Sequence, residues 1–443
     1  MSSTTQLKRN LGKLDLFGLA IGQVVGSGIM VLVGIGISMT GRSVNLAFVL
    51  SALWVILMSI PWIFISSCVR LRGGEYTQAA VLAGEKFAGI YIVVYLIRNL
   101  QMAVYALAFA GYFAQLVPGV NEKLVAILVA TFFFALNIFP TKSSAMFQNL
   151  MVFALAFAMV AFIVFGMPKV QPGYFSQPGF MTDGFMSFIS TSAFLTFATF
   201  GANSIFQLSG ECKNPKKDIP FVLIISTVSV AVLYGVIAMV AAGVLPLEQV
   251  ADQNLAVVAN EILPKSVYYV FIIGGALGAI ATSLNATIAW VTKPVLQACD
   301  DGWFPKAFAY LHPKYKTPLV LLGFYYILTI VPIILDIPMG TIVNTVLVLM
   351  YACMIITSVA TMRLPKLFPE QWEKSPFKVS KGLLAFFSIL ASVVLLIQVY
   401  FNLSFLNLPL VIANIVILVI AVVYALVRHK SGKVNVQISY EDD

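Results

Sequence analysis

Charge is scarce in this sequence. Asp, Glu, Lys and Arg make up 10% of its 443 residues, with two histidines and four cysteines, against 60% hydrophobic residues and a mean hydropathy of +0.95. That balance excludes a soluble core-and-surface domain, whose exterior needs far more polar cover. His312 and His429 both lie outside the long apolar runs, so no imidazole is expected within a membrane. Cys68, Cys212 and Cys299 fall at the ends of apolar runs and Cys353 lies inside one, with no C-x-x-C spacing. A disulfide framework and a zinc site are both disfavoured, and no metal or cofactor is expected. The Gly26-Ser27-Gly28 triplet resembles the surroundings of a nucleophilic serine, yet no His, Asp or Glu is expected at its depth to serve as base. No phosphate-cradling glycine loop occurs either. An enzyme and an ATP-driven pump are therefore set aside.

What is abundant is continuous apolar sequence. Twelve runs, at about 15–39, 45–68, 89–117, 123–139, 143–167, 185–209, 219–245, 266–292, 317–335, 339–362, 383–402 and 406–428, are long enough to cross roughly 30 Å of hydrocarbon as helices. Alternation with period two is missing, which excludes a β-barrel. The expected fold is an all-α membrane protein of twelve transmembrane helices. It has a tail at 1–14, one transporter domain at 15–428 and a tail at 429–443. No cleavage site follows the N-terminal residues, so the first span is expected to stay.

Lys and Arg fix the expected orientation. With both termini cytoplasmic, only Arg42, Lys123, Lys169 and Lys265 face outward and Arg98 lies within a span; the rest of the 27 basic residues are cytoplasmic. This asymmetry suits an even number of spans in the cell membrane. It also accounts for the net charge of +9 without a nucleic-acid partner, because the basic residues are dispersed over many loops.

Two apolar runs carry residues poorly suited to helices. In "QVVGSGIMVLVG" the small residues Gly26, Ser27 and Gly28 permit either close helix packing or a break facing a cavity. In "FLTFATFGANSIFQLSG" Gly201, Ala202, Asn203 and Ser204 interrupt the sixth run. The interrupted runs stand five apart, which favours breaks at a midplane site between two inverted halves. A half-helix starting near Ile29 offers free N–H groups to an anion, while carbonyls near Val24 and Phe200 accept bonds from an ammonium. Such a pair of recesses fits a zwitterion, and an α-amino acid is the natural candidate.

These residues carry a resemblance. "VGSGI" (Val25 to Ile29) resembles the first-helix motif of the amino acid–polyamine–organocation transporters, and "LRGGEYTQAAVLAGEKFAG" resembles their connection from second to third helix. "FGANSIFQLSGECKNPKKDIP" and "ACDDGWFPKAFAYLHPKYKTP" are similar to the stretches after their sixth and eighth helices. The pattern is most similar to the bacterial L-type exchanger branch. The resemblance implies the leucine-transporter type fold, with 5+5 inverted repeats at about 15–167 and 185–362, broken helices 1 and 6, two further helices at 383–428, and alternating access. It also implies that a substrate carboxylate rests on N–H groups around Ser27, Gly28 and Ile29, that its amino group meets the Val24 and Phe200 carbonyls, and that Phe197 closes over it with Asn203 nearby. Read by itself, Phe197 is equally consistent with ordinary core packing.

Asp15, Glu75, Asp183, Glu211 and Asp218 all read as helix ends or loops, so no acid is expected in the middle to pair a cationic side chain. Small or medium neutral amino acids follow as the expected substrate, although cation–π contact with an aromatic weakens the exclusion. Arg98 reads as snorkelling, as an intracellular closing contact, or as a partner for an anionic substrate. Gln101 and Asn137 read as interhelical hydrogen-bonders. The fifth run, "SSAMFQNLMVFALAFAMVAFIVFG", lacks the lysine that many similar chains carry there, and Thr282 and Ser283 read as backbone-bonding more readily than as sodium ligands. Exchange of neutral amino acids is the leading expectation. Alternatives are a sodium- or proton-coupled symporter, a cationic amino acid or polyamine antiporter, and a membrane amino-acid sensor. The expected partners are the bilayer and a small neutral amino acid; the sequence says nothing of a protein partner.

Overall fold

The fold is seen in a computed structural model that describes residues 11–24, 28–71, 74–139, 144–436 and 440–441. Helices α1 (Lys13–Val24) and α2 (Gly28–Thr40) divide the first apolar run, and α3 (Val44–Cys68) fills the second. A short α4 (Gly74–Ala83) then leads into α5 (Glu85–Arg98) and α6 (Gln101–Leu116), followed by α7 (Glu122–Leu136) and α8 (Ser144–Gly166). Next come α9 (Gly184–Phe194), the single turn α10 (Thr196–Thr199), a 3-10 segment (Phe200–Glu211) and the long α11 (Pro215–Gly243).

Beyond α11, two short helices, α12 (Leu247–Val250) and α13 (Ala256–Ile262), precede α14 (Lys265–Val270), which passes through a π segment (Phe271–Leu277) into α15 (Gly278–Asp300). The rest comprises α16 (Leu319–Ile334), α17 (Met339–Ala360), the small α18 (Leu364–Leu367) and α19 (Pro369–Glu373), and the pair α20 (Lys381–Ser404) and α21 (Leu408–Lys430). Each expected apolar run thus carries a helix or a series of helices. Among the described residues, eight helical stretches are both long and apolar enough to cross a membrane, and Phe153–Lys169 and Leu319–Ile334 are shorter apolar helices.

Packing explains why so many apolar side chains are tolerated. Long helices lie in contact as α3 with α11, α17 with α20 and α5 with α21, and their facing sides form the buried clusters. The outward sides keep large apolar residues exposed, among them Ile415, Val419 and Val427 on α21. Lipid is the solvent such a surface suits. At one end a two-residue ladder joins β1 (Arg70–Leu71) to β2 (Tyr440–Glu441), antiparallel. All four cysteines are buried.

Two departures from expectation bear on the site. The third run is not one helix: α5 stops at Arg98 and α6 restarts at Gln101, with Asn99 Nδ2 bonding back to the Tyr95 carbonyl at 2.7 Å. The polar pair Arg98-Asn99 inside an apolar stretch is the local cause, since a side-chain amide competes with the helix ladder. The sixth run does not resume as an α-helix after Gly201 either; it tightens to 3-10 geometry from Phe200 onward. Asn203 Nδ2 bonds the Phe200 carbonyl at 3.2 Å, three residues back, the spacing that 3-10 geometry favours.

Candidate functional site

Inside the bundle the end of α1 meets the start of the 3-10 segment, and the start of α2 meets α10. Glycine makes the meeting possible. A Cβ on Gly28 would lie 2.7 Å from the Ala198 Cα and 2.9 Å from its carbonyl oxygen, and a Cβ on Gly201 would lie 2.9 Å from the Gln23 carbonyl oxygen and 3.0 Å from the Val24 Cα. Any larger residue at either place would strike backbone. The neighbouring hydroxyls hold α10 in position: the Tyr351 hydroxyl donates to Thr196 Oγ1 at 2.6 Å, and Ser51 and Thr199 share a bond of 3.2 Å.

Beside this junction is a cavity with room for the centres of water-sized molecules over about 120 Å³. Its walls include Val24, Gly28, Phe197, Phe200, Gly201 and Asn203. Ile29 is fully buried next to Gly28, in the first turn of α2. Gly26 and Ser27 lie outside the described residues. Seven of the nine residues singled out from sequence are therefore in or beside one cavity. The opening N–H groups of α2 have no partner within their own helix and lie at the positive end of its dipole.

The carbonyls are less free than expected. Val24 O accepts the Tyr234 hydroxyl at 2.6 Å, and Phe200 O accepts Asn203 Nδ2. Each carbonyl oxygen has a second lone pair, so each can still take one further donor. Asn203 itself is committed on both sides, because its Oδ1 receives Ser59 Oγ at 2.9 Å while its amide braces the 3-10 turn. Phe200 packs edge-on against Trp62 and Tyr351, at centroid distances of 6.0 and 6.3 Å, whereas Phe197 is only partly buried and faces the cavity.

One expectation is overturned. Glu75 lines the cavity, although the sequence reading placed no acid there. Sequence position correctly puts it in the first turn of α4, but α4 folds in against the bundle instead of lying at its surface. Tyr76, its neighbour, is buried and donates to Asp301 Oδ2 at 2.7 Å, which ties α4 to the end of α15. Burial, with the Asp301 carboxylate beside it, holds the Tyr76 hydroxyl far above its ordinary range, so it stays a donor. Arg98 reaches Glu75 Oε2 from Nη2 at 2.5 Å and is buried, so it does not snorkel. The Tyr91 hydroxyl donates to the same oxygen.

Gln101 also lines the cavity and donates to Asn99 Oδ1 at 3.1 Å, while Asn137 bonds Asn285 across helices at 2.8 Å. The Thr282 hydroxyl donates to the Ala279 carbonyl, as the backbone-bonding reading expects, and the Ser283 carbonyl accepts Thr287 Oγ1. Trp290 and Thr287 complete a polar strip on the α15 side that sequence reasoning missed. Among the described residues no group of His, Cys, Asp and Glu could hold a metal ion.

Farther along α2 from Gly28, a loop packs against the helix. Asp252 N donates to the Gly34 carbonyl at 2.9 Å, and Ser38 Oγ donates to Asp252 Oδ1 at 2.7 Å. Farther along, Arg42 N and Ser43 N bond the carbonyls of Gly179 and Phe180.

Comparison with known proteins agrees with this architecture. The family model described as "Amino acid permease" matches residues 11–427. The chain is 29% identical over 352 residues to the branched-chain amino acid permease BcaP of Bacillus subtilis, covering 73% of this chain and 74% of that one. It is 24% identical over 348 residues to the serine/threonine exchanger SteT of the same organism, covering 75% and 78%. A mouse protein named cationic amino acid transporter 4 is 26% identical over 410 residues, covering 86% of this chain and 63% of its own. In fold, the chain is similar to the crystal structure of a manganese transporter from Eremococcus coleocola, with a TM-score of 0.56, 14% identity and 97% of both chains covered. A permease match over almost the whole chain, on an apolar helical bundle with a cavity lined by Gly28 and Gly201, has one meaning: the protein is a multi-pass membrane protein of the amino acid permease family, within the amino acid–polyamine–organocation superfamily.

Proposed function

We propose that the protein exchanges neutral L-amino acids across the cell membrane by alternating access, on a twelve-span fold of two inverted five-helix repeats with both termini cytoplasmic. The observation that carries this reading is the junction of α1, α2 and the 3-10 segment in the wall of one cavity. There the substrate carboxylate rests on the first N–H groups of α2, around Gly28 and Ile29. Its ammonium takes the remaining lone pairs of Val24 O and Phe200 O. Backbone groups of both signs serve every α-amino acid alike, so the side chain is read by the rest of the wall.

Exchange is preferred over ion coupling because the fifth run has no lysine and the Thr282 hydroxyl is occupied with backbone. One observation favours a second reading. Glu75 is an acid in the wall, and some relatives bear the name of cationic amino acid transporters. Its pairing with Arg98 argues for neutral substrates instead.

Counterflow in proteoliposomes tests the proposal: internal unlabelled leucine or alanine is expected to drive uptake of the labelled amino acid equally with and without a sodium gradient. Uptake that needs the gradient would replace exchange by symport, and uptake of lysine in preference to leucine would replace the neutral substrate. In the same assay Phe197→Ala is expected to raise the half-saturating leucine concentration about tenfold, as losing a large apolar cover of roughly 1.5 kcal/mol would require. An unchanged value would remove Phe197 from the site.

A further inference from the structure

The cavity wall contains charge that gripping an amino acid backbone does not use. Glu75 Oε2 receives both Arg98 Nη2 at 2.5 Å and the Tyr91 hydroxyl. The Tyr95 ring backs the guanidinium, 4.9 Å from its carbon to the ring centroid. Among the described lining residues Glu75 and Arg98 are the only charged ones, so the wall as a whole is neutral. A single unpaired charge there would dominate the choice of substrate, because charges act on one another far more strongly in a partly dry cavity than in water. Side by side, the two fields largely cancel at the distance of a bound side chain.

Holding α4 in place does not require this pair. Tyr76 already ties that helix to Asp301, and α4 packs its buried Tyr76, Ala79 and Ala80 into the core. A buried ion pair contributes little net stability, since desolvation offsets the attraction. Its position, with both residues lining the cavity, suits a different role.

We propose that Glu75 and Arg98 determine the substrate class by charge balance: Arg98 masks Glu75 so that the cavity selects uncharged side chains. This rests on the reading of the cavity as an amino acid site. Removing the guanidinium turns the wall acidic and favours lysine or arginine; removing the carboxylate turns it basic and favours glutamate or aspartate.

The test is counterflow of labelled leucine, lysine and glutamate by the full-length protein in proteoliposomes. Arg98→Gln is expected to raise the lysine-to-leucine uptake ratio at least tenfold, and Glu75→Gln to raise the glutamate-to-leucine ratio similarly. The double variant is expected to return both ratios toward wild type. Breaking a buried pair can prevent folding, so a second route leaves the pair whole: Gln101→Glu adds one negative charge to the same wall and is expected to favour lysine, and Gln101→Lys to favour glutamate. Unaltered ratios in the Gln101 variants, or in folded single variants of the pair, would overturn the inference. Wild-type leucine counterflow judges the exchange reading separately, since it uses no variant.

Discussion

Gly28→Leu is expected to abolish transport, leaving uptake below about 1% of wild type, a loss of roughly 2.7 kcal/mol or more in the transport step. Two effects act together. The Cβ alone would sit 2.7 Å from the Ala198 Cα, and the rest of the side chain would fill the space in front of the first N–H groups of α2. Overpacking costs about 1–3 kcal/mol even when flexible side chains can yield, and here the first obstacle is backbone. Gly28→Ala separates the two effects, because it brings the clash without much of the obstruction. If detergent-purified Gly28→Leu protein is monodisperse and transports leucine normally, the carboxylate binds elsewhere.

Gly34→Val is expected to be nearly as damaging, for a reason unrelated to substrate contact. A Cβ on Gly34 would lie 1.7 Å from the Gln253 carbonyl oxygen, and Asp252 N bonds the Gly34 carbonyl in the same contact. The loop between α12 and α13 therefore rests on bare backbone of α2. Valine must drive the two apart, with loss of the Asp252 bond and exposure of the buried Leu255 and Ala256 that follow it. Destabilisation of about 2–4 kcal/mol is expected, the range of severe packing changes, seen as a lowered unfolding temperature in detergent together with a reduced rate of counterflow. A variant with wild-type stability would mean that this seal opens easily. In that case the effect should reappear as a slower reorientation step only.

The sequence made some of this legible and hid the rest for physical reasons. Apolar runs declare helices directly, because hydrocarbon allows little else, and the small-residue interruption at Gly201 announces where the α-helical ladder does not continue. Val24 and Gly28 could thus be set near Phe197, Phe200, Gly201 and Asn203 from sequence alone. What composition conceals is distance through space. Glu75 stands in a stretch of ordinary loop-like polarity, and nothing local reveals that α4 turns inward to meet Arg98. The 3-10 geometry after Phe200 was equally hidden, since it depends on Asn203 bonding back to the Phe200 carbonyl instead of reaching a ligand. Arg98-Asn99 did carry a readable signal, two polar residues in an apolar run, and they mark the point where α5 gives way to α6.

The central claim is that exposed peptide groups at two interrupted helices hold both poles of the substrate. Its most direct test is a density map of the protein with leucine bound. The account predicts the carboxylate within hydrogen-bonding distance of the N–H groups of Gly28 and Ile29, and the ammonium between the carbonyl oxygens of Val24 and Phe200. A map with unbroken α-helix through Gly26 and Gly201, or with leucine seated away from them, would contradict it.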